Sequence, residues 1–399
     1  MKTQIFCYNE IMRTGIATVP LDYGKCPYWL FERMRRLGRG IVLAIIEEFG
    51  SEELLRRFSD PIWFQSLGCV LGFDWNSSGL ATTTMGALKE GLRGLENNLG
   101  LFICGGKGKT SRKTPEQIQS WGEFLGFSLE KIDNLVYVSK ISAKVDNTAI
   151  QDGFQIYHHN LIFTKSGQWT VLQQGMSEQL SQARRYHWLS SNIKDPSTSS
   201  GYNFIEEPHS GIISEVKVKP LNLTAKESNE NREISAGLVK KEPKKFLKNF
   251  KKILEQSGSL MKKRRAGHLT EMELNDIEFH WHPVLREKFD LKRLEKAIFF
   301  AAEQNPQNFE DLLVIKGVGP KTIRALSLVS EIIYGAKPSF EDPARYTFAH
   351  GGKDGTPFFV RKDIYDNTLD IIERGIKKSQ ISDKEKDKAK QRLNQAFSV

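Results

Sequence analysis

The chain is 399 residues long, carries a formal net charge of +10, and is 39% hydrophobic and 27% charged. That length supports two or three domains with cores of their own, and the basic excess favours a polyanion as partner. The longest aliphatic run, at 41–46, is far too short to span a bilayer and the N-terminus lacks a signal-peptide core, so a soluble, cytoplasmic protein with no membrane partner is expected.

Cys7, Cys26, Cys69 and Cys104 form no Cys-x-x-Cys pair, which speaks against a zinc ribbon or a disulfide framework and fits a reducing compartment. Beyond a loose start, Arg13 to Leu21 alternates as a strand should. From Pro27 onward Leu30, Met34, Leu37, Ile41, Ala44, Ile45 and Phe49 recur at helical spacing, and Gly50 ends the helix. Ser51 is expected to cap a second helix that stops before Asp60-Pro61. The polar stretch after Gly68 holds Asp74 beside Trp75, readable as a site carboxylate or as an Asx-turn. A helix follows from about Thr82 to Asn97. A strand from Leu99 to Cys104 then runs into Gly105-Gly106-Lys107-Gly108-Lys109, which lacks P-loop spacing and reads as a loop brushing a nucleic-acid backbone or as a flexible connector. Thr114-Pro115-Glu116 opens another helix.

Polar residues crowd the middle of the chain. Tyr157 to Phe163, a turn at Lys165-Ser166-Gly167-Gln168, and Trp169 to Leu172 make a β-hairpin, in which His158 and His159 must point to opposite faces. The composition turns polar and irregular from about Lys217 to Ser235, so the expected organisation is an α/β domain over 12–216, a charged linker over 217–236 and a helical region over 237–399. That last region begins with a lysine-coated helix, followed by Lys262, Lys263, Arg264 and Arg265 as a candidate phosphate-binding block.

No Ser/His/Asp or Cys/His arrangement stands at a recognisable spacing. Four of the eight histidines fall together with several carboxylates between 146 and 209. From that group Asp146, Asp152 and His187 are the candidate catalytic residues, and His158, Glu207 and His209 the candidate metal ligands. Hard oxygen donors with one or two imidazoles suit Mn²⁺ or Mg²⁺, ions that hydrolyse phosphodiesters by polarising phosphoryl oxygen and activating water. The alternative is that these imidazoles are satisfied polar groups near a core and the carboxylates are caps.

Residues 312–326 hold an apolar helix end, Gly317-Val318-Gly319, and a second helix opening at Pro320. This window resembles the helix-hairpin-helix module of DNA-processing proteins. There the glycines let a phosphate approach the backbone, and the N–H groups of the second helix face it. Gly317, Gly319, Lys321, Thr322 and Arg324 are the candidate DNA-binding residues. An ordinary turn between two helices, with a Gly cap and Pro at the first position, satisfies the same letters.

Arg13-Thr14-Gly15, Trp29-Leu30-Phe31-Glu32-Arg33, Gly72-Phe73-Asp74-Trp75, Lys144-Val145-Asp146-Asn147, Gln173-Gln174-Gly175-Met176, Ala183 through Leu189, Glu207-Pro208-His209-Ser210-Gly211 and Ala349 through Gly355 together resemble the prokaryotic family known as domain of unknown function 763. The resemblance implies an α/β N-terminal domain, followed by an all-α, hairpin-bearing DNA-binding part, with nuclease activity on DNA. It also points to the layered αββα fold of N-terminal-nucleophile hydrolases, where Thr14 would be the nucleophile although thirteen residues precede it. The expected function is metal-dependent hydrolysis of DNA, favouring single-stranded or partly unpaired strands and indifferent to sequence. A homo-oligomer is left open. A DNA glycosylase is the competing reading, because Lys321 and Asp342 resemble the Schiff-base lysine and the aspartate of hairpin glycosylases similar to endonuclease III. Pro343-Ala344 and the lack of a Cys cluster depart from that pattern. A DNA-binding protein without catalysis is the third reading.

Overall fold

A computed structural model describes residues 26–73, 78–198, 201–214, 216–265, 289–344, 362–379 and 381–397. Its centre is a five-stranded antiparallel sheet in the order β1-β3-β4-β5-β6, built from Leu101–Lys107, Gln155–Thr164, Trp169–Ser177, Gln182–Leu189 and His209–Ile213. A two-residue pair, β2 (Ile150–Gln151) with β7 (Leu221–Asn222), lies apart from it. The expected hairpin is β3–β4, with Phe163 opposite Trp169 and His158 and His159 opposite Gln174 and Gln173. Alternation divides the sheet into two apolar faces. Leu101, Ile103, Ile162, Leu172 and Leu189 pack with the helices between 28 and 92 and the C-terminal helices. Phe102, Leu161, Phe163, Val171 and Trp188 pack under the helices on the other side. The result is helix, sheet, helix, an α/β arrangement with a large helical part. The layered αββα arrangement needs two facing sheets, whereas the described residues hold one large sheet.

The first face is covered by α1 (Tyr28–Phe49), α2 (Ser51–Ser59), α3 (Pro61–Val70) and α4 (Gly79–Gly91). Met34, Leu37, Ile41 and Ile45 form the buried stripe of α1, at the spacing that the sequence sets. Asp60 caps α3 by accepting from Ile62 N at 2.9 Å, with Pro61 in the first turn. Ser51 is not a cap: Gly50 takes that position, and Ser51 is the first helical residue. The helix expected over 82–97 begins at Gly79 and breaks at Gly91, leaving only a short α5 (Glu96–Leu99). Nor is the basic glycine stretch a connector. β1 continues through it to Lys107, and Gly105 (φ +97°) lies where a Cβ would stand 2.1 Å from the His159 carbonyl oxygen. Only glycine fits there.

The other face carries α6 (Thr114–Phe124), α7 (Leu129–Lys144), and then α8 (Asn229–Lys241), α9 (Pro243–Arg265), α10 (Leu291–Glu303), α11 (Phe309–Val314) and α12 (Pro320–Tyr334). The linker expected over 217–236 is instead built into this layer. Leu221 and Asn222 pair with Gln151 and Ile150, Leu221 and Leu223 are buried, and α8 buries Asn231, Arg232 and Ser235. Those polar residues look like a solvated segment in the sequence but serve backbone carbonyls inside. Asn231 donates to Ser327 O and Ala336 O at 3.1 and 2.7 Å, and Arg232 to Leu223 O and Ala225 O at 3.0 and 2.7 Å. One apolar cluster therefore runs from Phe102 and Leu135 through Trp169 to Phe246, Leu312 and Leu326. Two further helices, α13 (Lys362–Lys378) and α14 (Asp383–Phe397), pack on α1 and α3. Among the described residues no helix is long and apolar enough to cross a membrane. The strand expected at 13–21, Thr14, Asp74 with Trp75, and the stretch at 349–356 lie outside the described residues.

Candidate functional site

The turn between α11 and α12 has the shape that its glycines permit. Gly317 sits at φ +94°, and Gly319 is extended (φ −134°) as the residue before Pro320. A Cβ at either position would meet nothing within 4 Å, so both backbones face open space beside the first turn of α12. Between them Val318 is buried and anchors the turn. Lys316 and Lys321 are exposed, whereas Thr322 is buried. Arg324 is half-buried: its Nε donates to Gln151 Oε1 at 2.5 Å. It thus faces the α/β layer, not the solvent edge where a phosphate contact was expected.

The same turn is fastened at two points, and the helix before it at a third. Lys144 Nζ, at the end of α7, donates to Val318 O at 2.7 Å, and burial holds its pKa below the usual lysine value. Gln151 Nε2 donates to Pro320 O at 2.9 Å. Tyr137 donates to Glu310 Oε1 at 2.6 Å, tying α7 to α11. An open groove of about 410 Å³ lies beside this junction, lined by Asn147, Gln151, Asp152, Phe154, Pro320 and Arg324.

After Lys144 the helix widens into a π turn, Val145–Ala149, which also packs against α11 and α12. Such one-turn insertions recur at functional positions because they swing a side chain out of helical register. Here the side chain is Asp146, fully buried against the sheet. Its Oδ1 accepts from His209 Nε2 at 2.6 Å, and its Oδ2 accepts from Gln173 Nε2 at 2.6 Å and Trp188 Nε1 at 3.1 Å. Burial pushes the Asp146 carboxyl upward, opposed by His209 and the hydrogen bonds. Because Gln173 spends its amide N–H on Asp146, its Oε1 takes the proton of His159 Nδ1 (2.8 Å), and His159 Nε2 in turn accepts from Ser139 (2.9 Å). The chain Ser139–His159–Gln173–Asp146–His209 is continuous and almost wholly buried. His209 stacks edge-on against Trp188, with ring centres 4.6 Å apart.

Of the expected catalytic residues, Asp146 is thus brought together with His209, expected as a metal ligand, while Asp152 and His187 are not part of their group. Asp152 Oδ2 accepts from Arg184 at 2.9 Å and from Tyr186 at 2.7 Å, and Arg184 also holds both oxygens of Asp342 at 3.0 and 2.9 Å. This is a buried, hydrogen-bonded ion triad. His187 lies on the opposite sheet face from Trp188, as strand alternation requires, and its Nδ1 pairs with Phe58 O at 2.9 Å. His158 is on that opposite face too. Glu207 (φ +43°) is exposed, its backbone N–H donating to Thr224 O at 2.9 Å. His158, Glu207 and His209 therefore do not converge, and among the described residues no three His, Cys, Asp or Glu side chains are placed to hold a metal ion. The Mn²⁺ or Mg²⁺ set expected from the sequence does not fit the residues described. Lys262, Lys263, Arg264 and Arg265 fall in the last turns of α9.

Lys144, Gln173 and Trp188 were within the sequence blocks singled out above, but nothing in a linear spacing marks a glutamine or a tryptophan as the donor to a buried carboxylate. His159 is absent from the expected site residues, since alternation lets only one histidine of the pair enter a given face. No curated protein and no solved structure matches the chain. A family model matches residues 15–360, and the chain belongs to that family, described as a protein of unknown function, domain of unknown function 763.

Proposed function

We propose that this protein binds DNA through the backbone, without regard to sequence, at the turn between α11 and α12, and hydrolyses phosphodiester bonds there. One observation carries the binding: two glycines with open space above their backbones, at the start of a 15-residue helix, clamped to the sheet layer by Lys144 and Gln151. The N–H groups and the dipole of α12 favour an anion at that point, and Lys316 and Lys321 add full charges. Two helices joined by a short glycine turn, Phe309–Val314 and Pro320–Tyr334, support reading this segment as a helix-hairpin-helix.

The hydrolytic part rests on Asp146 and His209, carried on the π turn beside the hairpin and on β6. With Nε2 on Asp146, His209 has Nδ1 as the ring nitrogen left to take a proton, the arrangement that a general base needs. A reading without catalysis is favoured by a separate observation. Asp146 already satisfies three buried donors, which is also how a structural carboxylate looks. The glycosylase reading is disfavoured, because Asp342 has both oxygens on Arg184 and accepts from Val218 N at 2.8 Å.

Labelled single- and double-stranded DNA, undamaged or with an abasic site, incubated with Mn²⁺, Mg²⁺ or EDTA, tests the proposal. Cutting of undamaged strands that is lost in His209→Ala and largely retained, with weakened binding, in Lys321→Ala supports it. Cutting only at lesions, abolished by Lys321→Ala, would establish a glycosylase. Binding with no cleavage under any condition would leave a DNA-binding protein alone.

A further inference from the structure

The sheet face beneath α2, α3 and α4 carries a second group of polar side chains that the hairpin does not use. His158, Gln174 and Arg185 are paired in register across β3, β4 and β5, so they stand side by side on this face, and His187 follows two residues along β5. All four are buried. Arg185 donates one N–H to Gln65 Oε1 at 3.0 Å and lies over the Phe64 ring at 5.2 Å, while its Nε and its other terminal nitrogen have no hydrogen-bond partner among the described residues. Both ring nitrogens of His158, Nε2 of His187, Oε1 of Gln174 and Oγ1 of Thr84 are also unpartnered.

The neighbouring arginine shows what is missing. Arg184, on the opposite face, meets two carboxylates, Asp152 and Asp342. Arg185 meets none among the described residues: the acidic groups facing it are the Tyr157 phenol and the Cys69 thiol, and burial brings its pKa down to about 10. A guanidinium taken out of water without an anion is strongly unfavourable, and its rigid fork matches the oxygens of an oxyanion. The charge around the group has the same sign. Arg185 and Lys107 both act on His158, and Arg185 acts on His187. Lys107 is exposed beside His158 in the register and lies over the Tyr157 ring at 5.9 Å, so the basic glycine stretch reaches the surface at the edge of this cluster.

We propose that Arg185, His158 and His187 form a buried site for a small oxyanion of the phosphate class, with Lys107 and Tyr157 at its rim. Arg185 supplies unspent N–H donors on Nε and its other terminal nitrogen, and the neutral His158 supplies one more; His187, whose Nδ1–H is spent on Phe58 O, donates from Nε2 only once the bound anion holds a second proton on the ring. The site lies on the far side of the sheet from the hairpin, so it stands or falls independently of DNA binding.

The test uses the full chain purified in a phosphate-free chloride buffer and titrated with inorganic phosphate at constant ionic strength, read by thermal melting and by calorimetry. A saturable rise in Tm with one-site heats is expected. Lys107→Glu, at an exposed position, should weaken phosphate binding roughly tenfold, and Arg185→Met should abolish it. Should Arg185→Met not fold, His158→Leu removes a side chain that makes no hydrogen bond among the described residues, and it should weaken binding at least as much as Lys107→Glu. A 5′-nucleoside monophosphate that competes assigns the site to a terminal phosphoryl group, and one that does not compete assigns it to the free ion. No phosphate effect beyond that of chloride, or an effect unchanged in both Lys107→Glu and His158→Leu, overturns the proposal.

Discussion

Replacing Asp146 by Asn or by Ala separates its two roles. Three donors converge on this carboxylate, two at 2.6 Å and one at 3.1 Å, in a site closed to solvent. Asparagine keeps one carbonyl oxygen for Gln173 and Trp188. It turns its NH₂ toward His209, which can accept at Nε2 by moving its own proton to Nδ1. What is lost is one charge-assisted bond, about 1–2 kcal/mol, and the relief of a buried charge whose pKa is raised by desolvation holds the loss to the low end. Alanine leaves all three donors facing a dry cavity, each costing about 1–3 kcal/mol when unmet, so a total of about 4 kcal/mol is expected after relaxation. Urea denaturation followed by far-UV circular dichroism measures both variants. The same Asn variant should bind DNA as the parent does while losing about 10²–10⁴-fold in cleavage, the usual contribution of a general acid–base group. An Ala variant no less stable than the Asn variant would refute the three-donor site.

Two further outcomes follow from buried charge. Burial holds His158 and His187 at about 3 and His159 at about 4 in the folded chain, against about 6.5 when unfolded. Between pH 6.5 and 4 the unfolded chain therefore binds more protons, and stability falls as pH falls by about 1.4 kcal/mol per pH unit for each histidine. Asp146 and Asp152, raised by burial, bind protons in the folded state and oppose this, so urea melts in phosphate-free buffer should show a net slope smaller than that of three histidines; a flat profile or one of opposite sign contradicts the burial. Asp342→Ala strips Arg184 of a bidentate partner and should cost about 3 kcal/mol without altering DNA affinity. If stability is untouched and a lesion-specific activity disappears, Asp342 is catalytic after all.

Much of the architecture was legible because it follows from short-range periodicity. The stripe of α1, the β3–β4 hairpin and the glycine turn before Pro320 each declare themselves within a window of about twenty residues. The opposite faces of His158 and His159 followed from alternation alone. What the sequence hid was convergence between distant segments. Asn231 and Arg232 read as polar linker because their carbonyl partners lie elsewhere in the chain. Asp152 and His187 read as catalytic because nothing local reveals that one belongs to Arg184 and the other to the far face. The residues named for Mn²⁺ or Mg²⁺ do not meet in the described part of the chain for the same reason: Glu207 and His209 are two residues apart, yet only His209 turns inward.

The central claim is that DNA approaches the backbone at Gly317 and Gly319, and Gly319 offers the most direct test. Its φ is extended and a Cβ there meets nothing within 4 Å, so Gly319→Ala and Gly319→Val should fold as the parent does and lower the melting temperature only slightly, since Gly is the better residue at a helix N-cap. The added carbons nevertheless occupy the space through which a phosphate must come to the α12 N–H groups. Fluorescence anisotropy with a labelled oligonucleotide, over a range of salt concentrations, should show affinity lowered at least tenfold in Gly319→Val, about 1.4 kcal/mol. It should also show a shallower dependence on salt, because fewer counterions are released. A Gly319→Val variant that folds as the parent does and binds DNA with the same affinity and the same salt slope would contradict the assignment.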